Sequence, residues 1–191
     1  MDHADHVALI RAGVEGTGRR WLELGAGRGA FTLALADLLG KGGEIVAVDR
    51  DARDLADLAA TMGRRFPDTD LTTIVADFSR TLPIEPGFDG LLAANSLHFV
   101  RDPGAVIAGV RPLLRPGARI VVVEYDSDSG NPWVPFPFAF TSWQAIAARA
   151  GLVDPRQVGR VPSRFLGAIY AAASELPPAA RELPAAALGS N

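Results

Sequence analysis

Cysteine is absent from the 191 residues, which excludes disulfide frameworks, thiolate metal sites, Cys-His hydrolysis and any route through a covalent thioether. Lysine occurs only as Lys41, set in a glycine turn, so Schiff-base and lysine-nucleophile chemistry lack a suitable group. A large excess of either charge is lacking too. Asp and Glu number 22 against 19 Lys and Arg, a net −3 that exerts no pull on a phosphate backbone, so a nucleic-acid partner is not expected. No window approaches the ~20 apolar residues of a membrane span. The start, MDHADHVALIRAGV, lacks the basic opening and apolar run of a signal peptide, so a cytoplasmic protein without a membrane partner is expected. Carboxylates and histidines nowhere cluster with ligand spacing, and no metal is expected.

What is present is a chain with 48% hydrophobic and 21% charged residues, enough to bury the core of one domain. Short apolar runs alternate with helical patterns: Trp21 to Leu24, then Phe31 to Leu39, Glu44 to Asp49 and Ala52 to Gly63. This rhythm predicts an α/β fold, a doubly wound, mostly parallel sheet with helices on both faces. Leu71 to Ala76, Gly90 to Ala94 and Arg119 to Tyr125 read as further strands, and Pro103 to Leu114 as a helix that Pro112 kinks or ends. Asp126 to Phe140 is a long loop rich in Pro, Gly and aromatics, apolar enough to pack over something. A helix over Ser142 to Ala150 precedes a terminal hairpin, Leu152 to Val161 and Phe165 to Ala172, turning at Pro162-Ser163. One domain over 1–173 is expected, with a Pro/Ala-rich tail over 174–191 that frays.

The strongest local signal is Leu22-Glu23-Leu24-Gly25-Ala26-Gly27-Arg28-Gly29-Ala30-Phe31, a strand entering spaced glycines and then a helix. Such glycines let a ligand approach the main chain and the helix N-terminus. The spacing is G-x-G-x-G rather than the dinucleotide G-x-G-x-x-G, and Glu23 precedes it. A carboxylate there disfavours a pyrophosphate and suits an ammonium or sulfonium group. A second strand ends at Asp49, where ribose hydroxyls are held in such folds, although an aspartate there also caps a helix. A third ends in Asp77-Phe78, suited to an exocyclic amine and a purine face, or to a turn cap and a core ring. A fourth runs into Asn95-Ser96-Leu97-His98.

These motifs, in this order at successive strand ends, resemble a class I S-adenosylmethionine-dependent methyltransferase of the small-molecule type, closely over residues 19 to 126 and more loosely over 141 to 173. The resemblance implies a Rossmann-like sheet of seven strands closed by a C-terminal antiparallel hairpin, with S-adenosylmethionine as cofactor. It implies that Glu23, Gly25, Ala26, Gly27 and Gly29 hold the methionine part. Asp49, with Arg50 beside it, would hold the ribose, and Asp77 with Phe78 the adenine. Asn95, Ser96 and Leu97 would pass near the methyl group. The Asn/Asp-Pro-Pro-aromatic segment of members acting on DNA bases or glutamine is missing, which disfavours those substrates.

Methyl transfer needs in-line positioning, and a base only where the acceptor loses a proton. His98 is the candidate base, or else a structural residue of the next turn. Glu124 and Tyr125 at the end of the fifth strand, Asn131 and Trp133 in the long loop, and Arg160 and Arg164 about the hairpin turn are candidate acceptor contacts. The arginines would suit a carboxylate or phosphate on the acceptor. His3 and His6 belong to a terminus expected to be mobile and exposed. The expected reaction is methyl transfer to oxygen or nitrogen of a small molecule. The alternatives are a catalytically silent cofactor-binding scaffold and a nicotinamide-dependent oxidoreductase.

Overall fold

The run Ile120-Val121-Val122-Val123 is fully buried, as a strand covered on both faces requires. It lies in β5 (Leu114–Tyr125) near the middle of a seven-stranded sheet of order β3-β2-β1-β4-β5-β7-β6 in the computed structural model, which describes residues 1–179. Strands β1 (Arg20–Leu24), β2 (Glu44–Asp49), β3 (Asp70–Val75), β4 (Phe88–Ala94) and β5 are mutually parallel. The last pair, β6 (Val153–Ser163) and β7 (Gly167–Glu175), forms an antiparallel hairpin, with β7 antiparallel to β5. The expected fold is the observed one.

Alternation along the strands divides the core into two layers, because successive side chains leave opposite faces of a sheet. Leu22, Leu24, Val46, Val48, Leu91, Ala93, Ile120 and Val122 face α4 (Pro103–Val110) and α5 (Phe140–Arg149), where Ile107, Trp143 and Ala147 receive them. Trp21, Ile45, Ala47, Leu92, Val121 and Val123 face α1 (His3–Val14), α2 (Ala30–Leu39) and α3 (Ala52–Arg65), through Ile10, Leu35, Leu58 and Met62. No helix among the described residues is long and apolar enough to cross a membrane.

Several boundaries differ from expectation. The terminus expected to be mobile is α1, started by a reciprocal cap in which Asp2 and Asp5 each accept the other's backbone N–H. His6 lies edge-on to Phe31 at 4.7 Å and His3 Nε2 is 3.0 Å from Asp37, so both histidines dock on α2. Helix α4 stops at Val110 and a 3-10 turn, Arg111–Leu113, carries Pro112, whose ring cannot follow in an α-helix interior. The terminal hairpin turns at 164–166 rather than at Pro162-Ser163, because both of those residues pair with β7. Strand β7 continues through Ser174 and Glu175, and Leu176 exchanges backbone hydrogen bonds with Gly117 and Ala118. The rest of the expected tail, residues 180–191, lies outside the described residues.

Candidate active site

The parallel strands end at Leu24, Asp49, Val75, Ala94 and Tyr125 on one edge of the sheet. Because β1 and β4 are neighbours and the chain leaves them in opposite directions, the edge opens between them into a crevice. Two cavities lie there. The first, about 370 Å³, is lined by Gly25, Gly27, Asp49, Arg50, Asp77, Phe78, Ser79, Asn95, Ser96, Phe99 and Val100. The second, about 470 Å³, is lined by Asn95, His98, Tyr125, Trp133, Val134 and Phe165. Asn95 belongs to both.

Local chemistry explains the shape of the first. Gly25 and Ala26 donate backbone N–H groups to the Val48 carbonyl, tying the glycine loop to the end of β2. Gly27 sits at φ 51°, and a Cβ there would project into open space, so its lack of a side chain leaves room at the cavity. Gly29 has a different task. A Cβ on it would come within 2.2 Å of Leu58 Cδ1, so this glycine lets α3 pack against the start of α2. Helix α2 has no side-chain cap, leaving its first amide groups free for an acceptor.

Asp49 Oδ2 accepts from Gly27 N at 2.8 Å and Oδ1 from Asp51 N at 2.9 Å, so each carboxylate oxygen is oriented and retains acceptor capacity. Asp77 Oδ1 accepts from the Ser79 hydroxyl and backbone N–H, and these bonds hold its carboxyl below the usual carboxylate range. Ser96 Oγ donates to the Leu24 carbonyl at 2.7 Å and fastens the segment after β4 to the end of β1. Beneath the loop, Glu23 is 1% exposed and its Oε2 has no hydrogen-bond partner. Burial pushes this carboxyl up to about 8, with the Thr32 hydroxyl opposing and the Asp49 charge adding to the rise.

The second cavity is built on His98, held by a 3-10 turn (Leu97–Phe99). Its Nδ1 lies 3.0 Å from both carboxylate oxygens of Glu124, and both side chains are buried. Glu124 Oε1 also accepts from Tyr125 N at 2.7 Å. In the neutral ring with Nδ1 donating to Glu124, the lone pair would sit on Nε2, which has no partner among the described residues. The long loop covers this turn: Phe136 N donates to the His98 carbonyl, and Asn131 Oδ1 accepts from Trp133 N and Val134 N. Phe138 is absorbed into the core, stacked on Trp143 at 5.9 Å.

The structure thus brings Gly25, Gly27, Asp49, Arg50, Asp77, Phe78, Asn95 and Ser96 to one cavity and Asn95, His98, Tyr125 and Trp133 to the other. Glu23, Ala26, Gly29 and Leu97 stand behind the first, and Glu124 behind the second with none of its surface exposed. Asn131 shapes the loop without lining a cavity. Arg160 pairs with Asp126 at 3.3 Å, and neither it nor Arg164 lines either cavity. Sequence reasoning missed Ser79, Phe99, Val100, Val134 and Phe165. Ser79 follows the Asp77 motif by two residues, a spacing at which a side chain bonds its neighbour's backbone. No sequence signal marks Phe165, which the sequence pattern places at the start of a strand and the structure in the turn before it.

A family model described as "Methyltransferase domain" matches residues 22–120. The chain belongs to that family, and fold and motifs group it with the class I S-adenosylmethionine-dependent methyltransferases, a class whose methyl donor is S-adenosylmethionine. Part of fumosorinone synthetase from Cordyceps fumosorosea is 35% identical over 115 residues, which is 54% of this chain and 3% of that one. Demethylmenaquinone methyltransferase from Beutenbergia cavernae is 34% identical over 123 residues, 62% of this chain and 45% of the relative. This chain therefore spans less than half the length of either relative. Among solved structures, the 1,6-didemethyltoxoflavin-N1-methyltransferase of Burkholderia thailandensis, with bound 1,6-didemethyltoxoflavin and S-adenosylhomocysteine, has a TM-score of 0.70 at 22% identity, covering 92% of this chain and 78% of that one.

The first cavity fits the donor. Its volume is in the range of small-molecule sites. Asp49 has free acceptor capacity for a pair of hydroxyls, the ionised Asp77 can accept from an amine, Phe78 offers an aromatic surface, and the bare Gly27 admits close approach.

Proposed function

We propose that this chain binds S-adenosylmethionine in the first cavity and transfers its methyl group to a small molecule seated in the second, at an oxygen or nitrogen that must lose a proton. The observation that carries this reading is the pairing of His98 with Glu124 at the wall of a cavity that shares Asn95 with the donor's. The relatives agree with a small acceptor: one is named for demethylmenaquinone and the structural neighbour holds 1,6-didemethyltoxoflavin.

In this reading Asp49 and Arg50 orient the ribose, Asp77 and Phe78 the adenine, and the loop Gly25 to Gly29 the methionine part over the open start of α2. Glu23 lies beneath that loop as a buried carboxyl that keeps its proton up to about pH 8, while Ala26, Ser96 and Leu97 fix its shape and that of the segment opposite. When bound, S-adenosylmethionine supplies a methyl group on a positively charged sulfur. His98 Nε2 takes the acceptor's proton as the acceptor's lone pair forms the new bond to carbon. Held by the loop Gly25 to Gly29, the sulfonium would serve as the leaving group, keeping the electron pair of the carbon–sulfur bond it gives up. Glu124 is a positioning residue that fixes the imidazole tautomer and balances the charge the ring acquires. Tyr125 and Trp133 hold the acceptor and exclude water.

Calorimetric titration with S-adenosylhomocysteine, with NAD in parallel, tests the first half. Saturable binding of the former alone is expected. An acceptor screen with labelled methyl donor tests the second. Binding without turnover on any acceptor in a metabolite extract would instead make the chain a silent cofactor-binding scaffold.

A further inference from the structure

We propose that the second cavity selects a planar, conjugated acceptor bearing a weakly acidic hydroxyl, a phenol or an enol. The inference rests on the acceptor-site reading above and adds the chemical class.

The walls are the first argument. Tyr125 and Phe165 have ring centroids 5.8 Å apart at 54°, and Trp133 and Phe165 6.5 Å apart at 74°, so the rings are tilted to one another rather than packed face to face. A cavity framed by ring faces and edges favours a flat π-system at each aromatic contact, beyond simple burial. Two of these rings are left in water: Trp133 is 72% and Phe165 48% exposed, whereas Trp21 and Trp143 are fully buried. A ligand that covers both rings recovers that apolar surface.

The polar groups are the second argument. His98 Nε2, the Tyr125 hydroxyl and the Asn95 carboxamide make no hydrogen bond to any described residue, and Asn95 Oδ1 is buried in that state. They provide an acceptor for an acidic proton and donors for an oxygen beside it. An aliphatic hydroxyl is too weak an acid to release its proton to an imidazole, whereas a phenol, with a pKa of ~10 like tyrosine, is far closer. No arginine or lysine lines the cavity, and the Glu124 carboxylate lies behind His98, so the walls repel an anionic carboxylate or phosphate rather than attract one.

The test is calorimetry on the full chain, with and without saturating S-adenosylhomocysteine, using 2-naphthol, its saturated counterpart 2-decalol, and 2-methoxynaphthalene. We expect 2-naphthol to bind saturably and about tenfold or more tighter than 2-decalol. Trp133→Ala or Phe165→Ala, both on exposed side chains, should weaken it roughly tenfold and leave S-adenosylhomocysteine binding unchanged. His98→Gln should abolish the preference for 2-naphthol over 2-methoxynaphthalene. Equal binding of 2-naphthol and 2-decalol overturns the aromatic class. Equal binding of 2-naphthol and its methyl ether to the unmodified chain overturns the hydroxyl's role, and binding indifferent to both wall substitutions places the ligand elsewhere. Failure of S-adenosylhomocysteine to bind, with the naphthol results intact, counts against the methyltransferase reading alone; the reverse counts against this inference alone.

Discussion

His98 Nδ1 stands equidistant, at 3.0 Å, from the two carboxylate oxygens of Glu124, in a buried pair that joins the turn after β4 to the last residues of β5. Neither residue stands out in isolation; in the proposed reaction they act together as a base whose orientation is fixed before any acceptor arrives. His98→Gln is therefore expected to lower methyl transfer by 10²–10⁴-fold, the usual span for removing a general base, with cofactor affinity unchanged. Glu124→Gln should lower turnover less and shift the pH profile. Labelled-methyl assays beside calorimetry check both, and an undiminished rate in His98→Gln would make the histidine a structural residue.

Asp49 is held by the backbone N–H groups of Gly27 and Asp51. Replacement by Asn is expected to weaken S-adenosylhomocysteine binding by roughly 1.5–3 kcal/mol, the range for losing a charged hydrogen-bond partner, or about ten- to a hundredfold. Titration of the variant decides this, and unaltered affinity would remove Asp49 from the ribose.

Gly27 and Gly29 both have positive φ, yet their substitutions should fail differently. Gly27→Ala adds a methyl group to open space, so beyond ~1–2 kcal/mol of backbone strain the loss should appear in cofactor binding. Gly29→Ala drives a methyl group into Leu58 and should lower the thermal midpoint further. Melting curves of the two variants, with and without S-adenosylhomocysteine, separate the cases.

Glu23 makes stability depend on pH. Its carboxyl, ordinarily near 4.5, is pushed up to about 8 in the fold by burial. Between those values the folded chain holds a proton that the unfolded chain has released, so this group's contribution to stability falls as pH rises, by roughly 1.4 kcal/mol per unit within the window. Glu23→Gln should flatten the pH dependence of denaturant unfolding between about pH 5 and 8. The same slope in both proteins would refute the assignment.

The sheet and its first cavity were legible in the sequence because their determinants are local. Val46, Val48 and Asp49 announce a buried strand with a polar end, and the glycines between Leu24 and Ala30 announce the loop. The second cavity was less legible because its parts meet only on folding. Nothing in the spacing of His98 and Glu124 predicts a 3.0 Å contact, and Phe165 reaches Trp133 because the hairpin turns at 164–166, beyond the Pro162-Ser163 that the sequence suggests. The glycine spacing does not foretell that Gly29 also lets α3 pack close, which only the position of Leu58 reveals.

The antiparallel hairpin has a consequence for how such an enzyme diversifies. Because β7 runs against β5, the turn at 164–166 returns to the edge where the parallel strands end, carrying Phe165 to Tyr125. The residues around the first cavity come from the end of β2 and the segments after β1, β2, β3 and β4, and none comes from that turn. In the proposed reading, lengthening or rebuilding the 164–166 turn, or the loop bearing Trp133, would therefore change which acceptor is taken while the residues around the first cavity stay as they are.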